Sequence, residues 1–211
     1  MITVLFDDRD IKSHYGLVLE SFEITQPEPK IVTVDVPGRD GELDMSTAIT
    51  GHVTYHNRMI HLQFGLTGSE QECEQKRNGF LSSFQMKKIM ISFSHLEGFF
   101  YGTVFVDKIT RENRHYTIFV RVNCEPYRYL EQVMKTVKLT TTTKIENFPN
   151  LMMFTTPYIE TTGPTNIEFE KKKYSVQAGM HTLGIVFKPG MNTLRLSGTG
   201  QATISYLTGV L

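Results

Sequence analysis

IVTVDVPGRDGELD, residues 31–44, begins as a strand and ends as a charged loop. Ile31, Thr33 and Asp35 alternate with Val32, Val34 and Val36, and β-branched side chains favour the pleated backbone. Pro37-Gly38 stops the ladder, because proline has no N–H to donate and glycine accepts positive φ. Asp40-Gly41 supplies a second tight-turn signal. Between the turns stands Arg39, whose planar fork of donors suits a carboxylate or a carbonyl. Glu42 and Asp44 follow around Leu43. Two readings stay open here. One is a solvated hairpin loop. The other is a docking loop for a neighbouring subunit, with Pro37, Gly38, Arg39, Asp40, Gly41, Glu42 and Asp44 as its contact residues.

Outward from this stretch, the chain has 211 residues, enough for one large domain or two small ones. Hydrophobic residues make up 40% and charged residues 21%, which supports a packed core and argues against global disorder. Twenty-two basic residues balance twenty-two acidic ones, so a dedicated nucleic-acid coat is not expected. No run of about 18 apolar residues occurs, so no membrane-spanning helix is expected either. The start, MITVLFDDRD, lacks the basic region and long apolar run of a signal peptide. Cys73 and Cys124 lie far apart in unlike contexts and read as free thiols in a reducing compartment.

Before the opening stretch, Met1 to Phe6 reads as a first strand and Asp7 to Asp10 as a polar turn. Tyr15 to Thr25 reads as the second strand, broken by Pro27 and Pro29. After it, Gly51 to Leu66 is expected to be a hairpin that turns at Asn57-Arg58, with Ile60, Leu62 and Phe64 facing inward. His52 and His56 would share a strand face roughly 13 Å apart, too far to hold one ion, and no metal site is expected. SEQECEQKRNGFLSSFQM, residues 69–86, is the one strong helix signal. Ser69 and Glu72 form a capping box, acids lead and bases follow, and Cys73, Arg77, Phe80, Leu81 and Phe84 make a stripe. Gly79 weakens its middle. Three strands follow as an antiparallel meander: residues 88–93, 99–109 and 115–122.

Pro126 ends the meander, and from Val133 threonine becomes frequent and acids sparse. The expected domains are 1–131 and 132–211. The second reads as short strands near 136–142, 157–162, 166–170, 173–177, 181–187, 192–197 and 201–207, a β-sandwich pattern. The Thr140 to Thr143 run is read as strand rather than linker. Gly198 and Gly200 do not make a dinucleotide loop, since strand patterns flank them and no helix follows. Lys171 to Lys173 read as a solvated hairpin tip.

Several phrases in their order resemble the distal tail protein of long-tailed, non-contractile bacteriophages and related prophages. They are VDVPGRDGELD (34–44), the single helix after a hairpin, CEPYRY (124–129), NFPNLMMFTTPYIETTG (147–163), KPGMNTLRLSGTG (188–200) and ATISYLTGVL (202–211). The resemblance implies a mainly β chain. Its N-terminal domain would be a β-rich, sandwich or split-barrel-like ring former with one α-helix, and its C-terminal domain a galectin-like antiparallel β-sandwich. It implies a homo-hexameric ring at the tip of the virion tail, assembled in the bacterial host cytoplasm. That ring would join the tail tube protein to the tail-associated tip protein and to baseplate or receptor-binding proteins. DNA would pass through its channel without specific binding, and no membrane or cofactor would be involved.

Two other function classes stand beside this one. A carbohydrate-binding module would need aromatic platforms; the chain has no tryptophan, and Tyr158, Tyr174 and Tyr206 are the candidates. An enzyme would need a nucleophile–base constellation, a phosphate loop or a metal cluster, and no catalytic residue is expected.

Overall fold

The computed structural model describes residues 2–211, apart from the side chain of Glu131. Met1, at the head of the expected first strand, lies outside the described residues. The chain is mainly β and divides into two compact units, Met1–Arg128 and Tyr129–Leu211.

The first unit begins with β1 (Val4–Phe6) and β2 (Arg9–Asp10), joined by Asp7 and Asp8 at φ 48° and 63°. Short polar side chains tolerate this left-handed turn. A helix absent from the sequence reading follows, α1 (Ile11–Tyr15). Asp10 caps it by accepting from Lys12 N at 2.9 Å, and Gly16 ends it at φ 67°. The expected second strand therefore starts late, as β3 (Val18–Ile24). β4 (Thr33–Val34) and β5 (Leu43–Asp44) make a small hairpin. β6 (Arg58–Thr67) comes next, then α2 (Glu70–Phe84), β7 (Lys88–Phe93), β8 (Phe100–Glu112) and β9 (His115–Cys124).

One seven-stranded sheet runs in the order β2-β1-β7-β8-β9-β6-β3. Its centre is the β6–β9 ladder, paired from Arg58↔Cys124 to Thr67↔His115. Ile60, Leu62, Phe64 and Leu66 alternate inward from β6, and Tyr116, Ile118, Val120 and Val122 from β9. Cys73, Phe80 and Phe84 of α2 bury in the same core. The ring of Phe6 lies 5.1 Å from that of Phe84 and 6.0 Å from that of Phe80. The capping box is present: Ser69 Oγ accepts from Glu72 N, and Glu72 Oε2 accepts from Ser69 N at 3.2 Å. At the other end Gln85 Oε1 accepts from Val106 N at 2.7 Å, beside the β8 register shift.

The expected Gly51–Leu66 hairpin is not formed. Gly51 sits at φ 73°, and Thr50 Oγ1 donates to the His52 carbonyl at 2.6 Å. These local bonds curl the chain where a strand was expected. Asn57-Arg58 does not reverse it; Arg58 instead opens β6, which pairs with β3 and β9.

The second unit is a β-sandwich. Its strands are β10 (Arg128–Lys138), β11 (Lys144–Asn150), β12 (Tyr158–Thr161), β13 (Thr165–Phe169), β14 (Lys172–Val176), β15 (Gly179–Thr182), β16 (Gly190–Gly198) and β17 (Gln201–Val210). Two four-stranded sheets, β10-β17-β12-β15 and β11-β16-β13-β14, contribute to one core. Phe148, Ile159, Phe187, Leu194, Ile204 and Tyr206 lie at its centre. The Thr140–Thr143 run is a turn, not a strand, and Thr140 Oγ1 donates to the Thr142 carbonyl at 3.0 Å. The expected strand over residues 136–142 is instead the end of β10, which stops at Lys138; β11 follows, and its Pro149 is tolerated because β11 is a sheet edge. The expected strand over residues 181–187 shrinks to β15 and a single Thr155↔Phe187 bridge.

Two glycines test the packing in opposite directions. A Cβ at Gly102 would lie 2.6 Å from Cys124 Sγ and 2.8 Å from Asn123 O, whereas at Gly79 the nearest atoms are in the Tyr15 ring at 3.9 Å. Gly102→Ala should lower unfolding free energy by about 1–3 kcal/mol. Gly79→Ala should raise it by roughly 0.4–1 kcal/mol. Urea denaturation of the two variants measures both.

Candidate functional site

Between β3 and β6 the chain leaves the sheet and returns as an arm. Its root is closed by the Pro29↔Tyr55 bridge, by Lys30 N donating to Thr54 O at 2.8 Å and by His56 N donating to Glu28 O at 2.8 Å. Further out, Met45 N donates to Val32 O at 2.7 Å, and β4 and β5 pair at Thr33↔Asp44 and Val34↔Leu43. Proline on both sides and a turn through residues 45–51 keep the ladder to these few rungs.

The tip carries the loop residues read from the sequence. Pro37, Gly38, Arg39, Asp40, Gly41, Glu42 and Asp44 are all exposed. Gly38 and Gly41 take φ 84° and 74°, so the two turn signals are both used. Arg39 N donates to Val36 O at 3.1 Å, and among the described residues the Arg39 guanidinium has no ion pair. Asp44 Oδ1 accepts from Ser46 N at 2.8 Å, and Ser46 Oγ in turn accepts from Val32 N at 2.9 Å. Ser46, through its side chain first and its backbone N–H second, holds the Asp44 carboxyl below its ordinary pKa.

What the sequence reading missed is the arm's aliphatic skin. Ile31 is 70% exposed, Val32 53% and Ile49 99%, and Val34, Val36, Met45 and Val53 are exposed as well. Together they give this short arm an exposed aliphatic surface. The signal was present in the run Ile31-Val32-x-Val34-x-Val36, whose one strand face is all valine.

Arg58 stands at the root, three residues after Tyr55. It is nearly fully buried. Nε donates to Pro126 O at 2.8 Å, the guanidinium lies over the Phe100 ring at 5.2 Å, and Nη2 is buried without a partner. Burial first, and the Arg128 charge in addition, pull its pKa down, while Cys124 acts the other way. The Cys124 thiol beside it is pushed up to about 12 by burial, with Arg58 partly opposing and Glu125 adding. A thiol held neutral in this way is a poor nucleophile.

By sequence, no protein-family model matches this chain and no curated protein matches it. By shape, a match covers the whole chain. The crystal structure of the SPP1 Dit (gp 19.1) protein is described as a paradigm of hub adsorption apparatus in Gram-positive-infecting phages. It overlays with a TM-score of 0.72 at 14% identity, covering 100% of each chain. The chain has the Dit fold. Two structures of the phage p2 baseplate in its activated conformation overlay more loosely. The strontium form gives a TM-score of 0.49 at 7% identity, and the calcium form 0.45 at 8%; each covers 99% of this chain and 98% of the other. The mainly β architecture expected from the resemblance is therefore the one observed, with α1 as an addition.

The tyrosines suggested as sugar platforms separate. In this Dit-fold chain Tyr206 is buried and donates to Pro149 O at 2.6 Å, and Tyr174 donates to Gly184 O at 3.2 Å. Tyr158 alone of the three is exposed. No group of three or more His, Cys, Asp or Glu able to hold a metal occurs among the described residues.

The Asp44 carboxyl should titrate below the ordinary aspartate range, and Ser46→Ala should return it toward that range. Carboxyl carbon NMR shifts followed from pH 2 to 6 read both, and an unchanged Asp44 titration in the variant would contradict the assignment.

Proposed function

We propose that this chain is the structural hub of a bacteriophage tail tip. Its N-terminal domain, residues 1–131, closes with five other copies into a hexameric ring, and residues 132–211 form the domain outside it. The ring joins the tail tube protein to the tail-associated tip protein and carries baseplate or receptor-binding proteins. It is a scaffold without turnover, located in the virion tail and assembled in the host cytoplasm. The observation that supports this most is the full-length overlay on the SPP1 hub protein.

The residues offer independent support. An arm whose valines and isoleucines face solvent is poorly suited to a lone monomer and well suited to a head-to-tail contact with a second copy. Residues 37–44 then serve as its contact loop, with Arg39 meeting a neighbour's carboxylate. The outward face of β6 and β9 is polar and locally neutral. Arg121 forks onto Asp107 with both contacts at 3.1 Å, and His115 Nε2 meets Glu20 Oε1 at 2.9 Å. A channel wall of this kind lets DNA slide, whereas a strongly basic one would grip it.

Light scattering coupled to size-exclusion chromatography, with negative-stain imaging, is the test. The wild type should form rings with a central hole. Replacing residues 35–42 by an Asn-Gly turn should leave the far-UV spectrum unchanged and yield monomers. A wild type that stays monomeric at high concentration, or rings that survive loss of the tip, would count against this reading.

A further inference from the structure

The outward face of the sheet β11-β16-β13-β14 holds an open groove of about 320 Å³. Strand register sets its floor in two rows. Glu168 stands opposite Lys173 on one side and opposite Arg195 on the other. Two residues back along β13, Asn166 stands opposite Ser175 and Ser197. Neighbouring strands lie roughly 4.8 Å apart and successive outward residues roughly 6.7 Å apart, so the six side chains cover an area of about 10 by 7 Å. Asn166, Lys173, Ser175 and Arg195 are exposed, and Glu168 and Ser197 are half-buried, so the floor is open to a solute. These groups leave most of their bonding capacity unused. Among the described residues, the side-chain hydrogen bond within the six runs from Ser175 Oγ to Asn166 Oδ1 at 2.7 Å. Arg195 Nη1 stops 3.9 Å from Glu168 Oε1, beyond hydrogen-bond length, and Lys173 has no ion pair. Other pairs in this unit close fully: Lys188 Nζ meets Glu170 Oε1, and Lys135 Nζ meets Glu146 Oε2, both at 2.7 Å.

We propose that this groove binds a saccharide unit carrying one acidic group, a carboxylate or a phosphate. Charge complementarity supports the acidic group. Lys173 and Arg195 outnumber Glu168 on the floor, and Lys171 and Lys172 are exposed at the adjoining hairpin tip. Residues 129–211 as a whole hold eight Lys and Arg against five Glu. Glu168 supports the saccharide. A carboxylate in the middle of the floor repels a bare anion but accepts from hydroxyl groups. Asn166, Ser175 and Ser197 each donate and accept, as a sugar hydroxyl does. Ile145, opposite Arg195 and 62% exposed, offers an apolar shoulder to the C–H face of a ring. A peptide strand fits less well: β14 is the open edge beside the groove, and its lysines discourage strand addition. Tyr158 lies on the other sheet, so this site owes nothing to a tyrosine platform. It is also independent of the arm and of ring closure.

Isothermal titration of the full chain tests the proposal. The probes are glucuronate, galacturonate and glucose 6-phosphate, set beside glucose, inorganic phosphate and a short oligoglutamate. At least one acidic sugar should saturate the protein and bind about tenfold or more tighter than glucose. The uronates and glucose 6-phosphate together tell which acidic group is taken. Inorganic phosphate and oligoglutamate should not displace the bound sugar. Arg195→Ala should cost the acidic sugar about tenfold or more and remove its advantage over glucose. Glu168→Gln keeps the shape and removes the charged acceptor, so it should weaken the acidic sugar; at a simple anion site the same change would tighten binding. These residues lie at the surface, and each variant should keep the wild-type thermal midpoint. Failure of every acidic sugar to bind, equal binding of phosphate or oligoglutamate, tighter binding in Glu168→Gln, or variants that bind like the wild type would each overturn the inference. None of these outcomes bears on ring formation, which the imaging reads separately.

Discussion

The β6–β9 ladder is the constraint on which the first unit depends. Ten consecutive pairs hold these strands in one register, so every even-numbered residue from Ile60 to Leu66 must face inward. That face gives α2 its floor, and the phenylalanines of β1, β6 and α2 close over it. A slip of one residue would send His61 and Gln63 into the core and Leu62 and Phe64 into water. Register here is therefore enforced by burial on one side only, and the opposite face is free to be polar.

The same ladder creates the arm's peculiar situation. β3 and β6 are adjacent and antiparallel, so a short turn would have sufficed to join them. The chain instead runs through 33 intervening residues, 25–57, that bury little and hold together by a few backbone bonds. Such a segment is at the low-stability end of the fold when the chain is alone. Its aliphatic side chains and acidic tip face solvent. At the root of the arm Arg58 is a desolvated cation whose Nη2 has no hydrogen-bond partner among the described residues.

The second unit solves its packing internally. Asn150 and Asn192 both lie buried and cross-brace the loop at Phe187 and Lys188, with Nδ2 of each donating to the Lys188 carbonyl. These amides satisfy backbone groups that a β-sandwich leaves unpaired where strands end. The two sheets then share a core of aromatic and branched residues. The sandwich accordingly needs no second copy to complete its interior.

Several features are legible in the sequence alone. The helix over 70–84 was announced by its capping box, its charge order and its stripe, all of which are local. The meander and most of the second unit's strands were announced by alternation and by glycine and proline punctuation. The tip turns at Pro37-Gly38 and Asp40-Gly41 were likewise visible, since positive φ is a property of single residues. Other features needed the tertiary structure. Residues 52–56 alternate as a strand would, but they pair with residues 28–30 through a single bridge at Pro29↔Tyr55 rather than with β6 as a hairpin. Thr140–Thr143 favours β structure yet turns, while Lys144–Asn150 hides a strand behind a proline that only an edge position permits. Above all, Arg58 looked like a turn residue beside Asn57. Its burial over Phe100, its bond to Pro126 and its unpaired Nη2 arise from residues 42 to 68 positions away in the chain. Local chemistry therefore determined which segments could be helix, strand or turn. Long-range pairing decided which of them were used, and which side chains were buried.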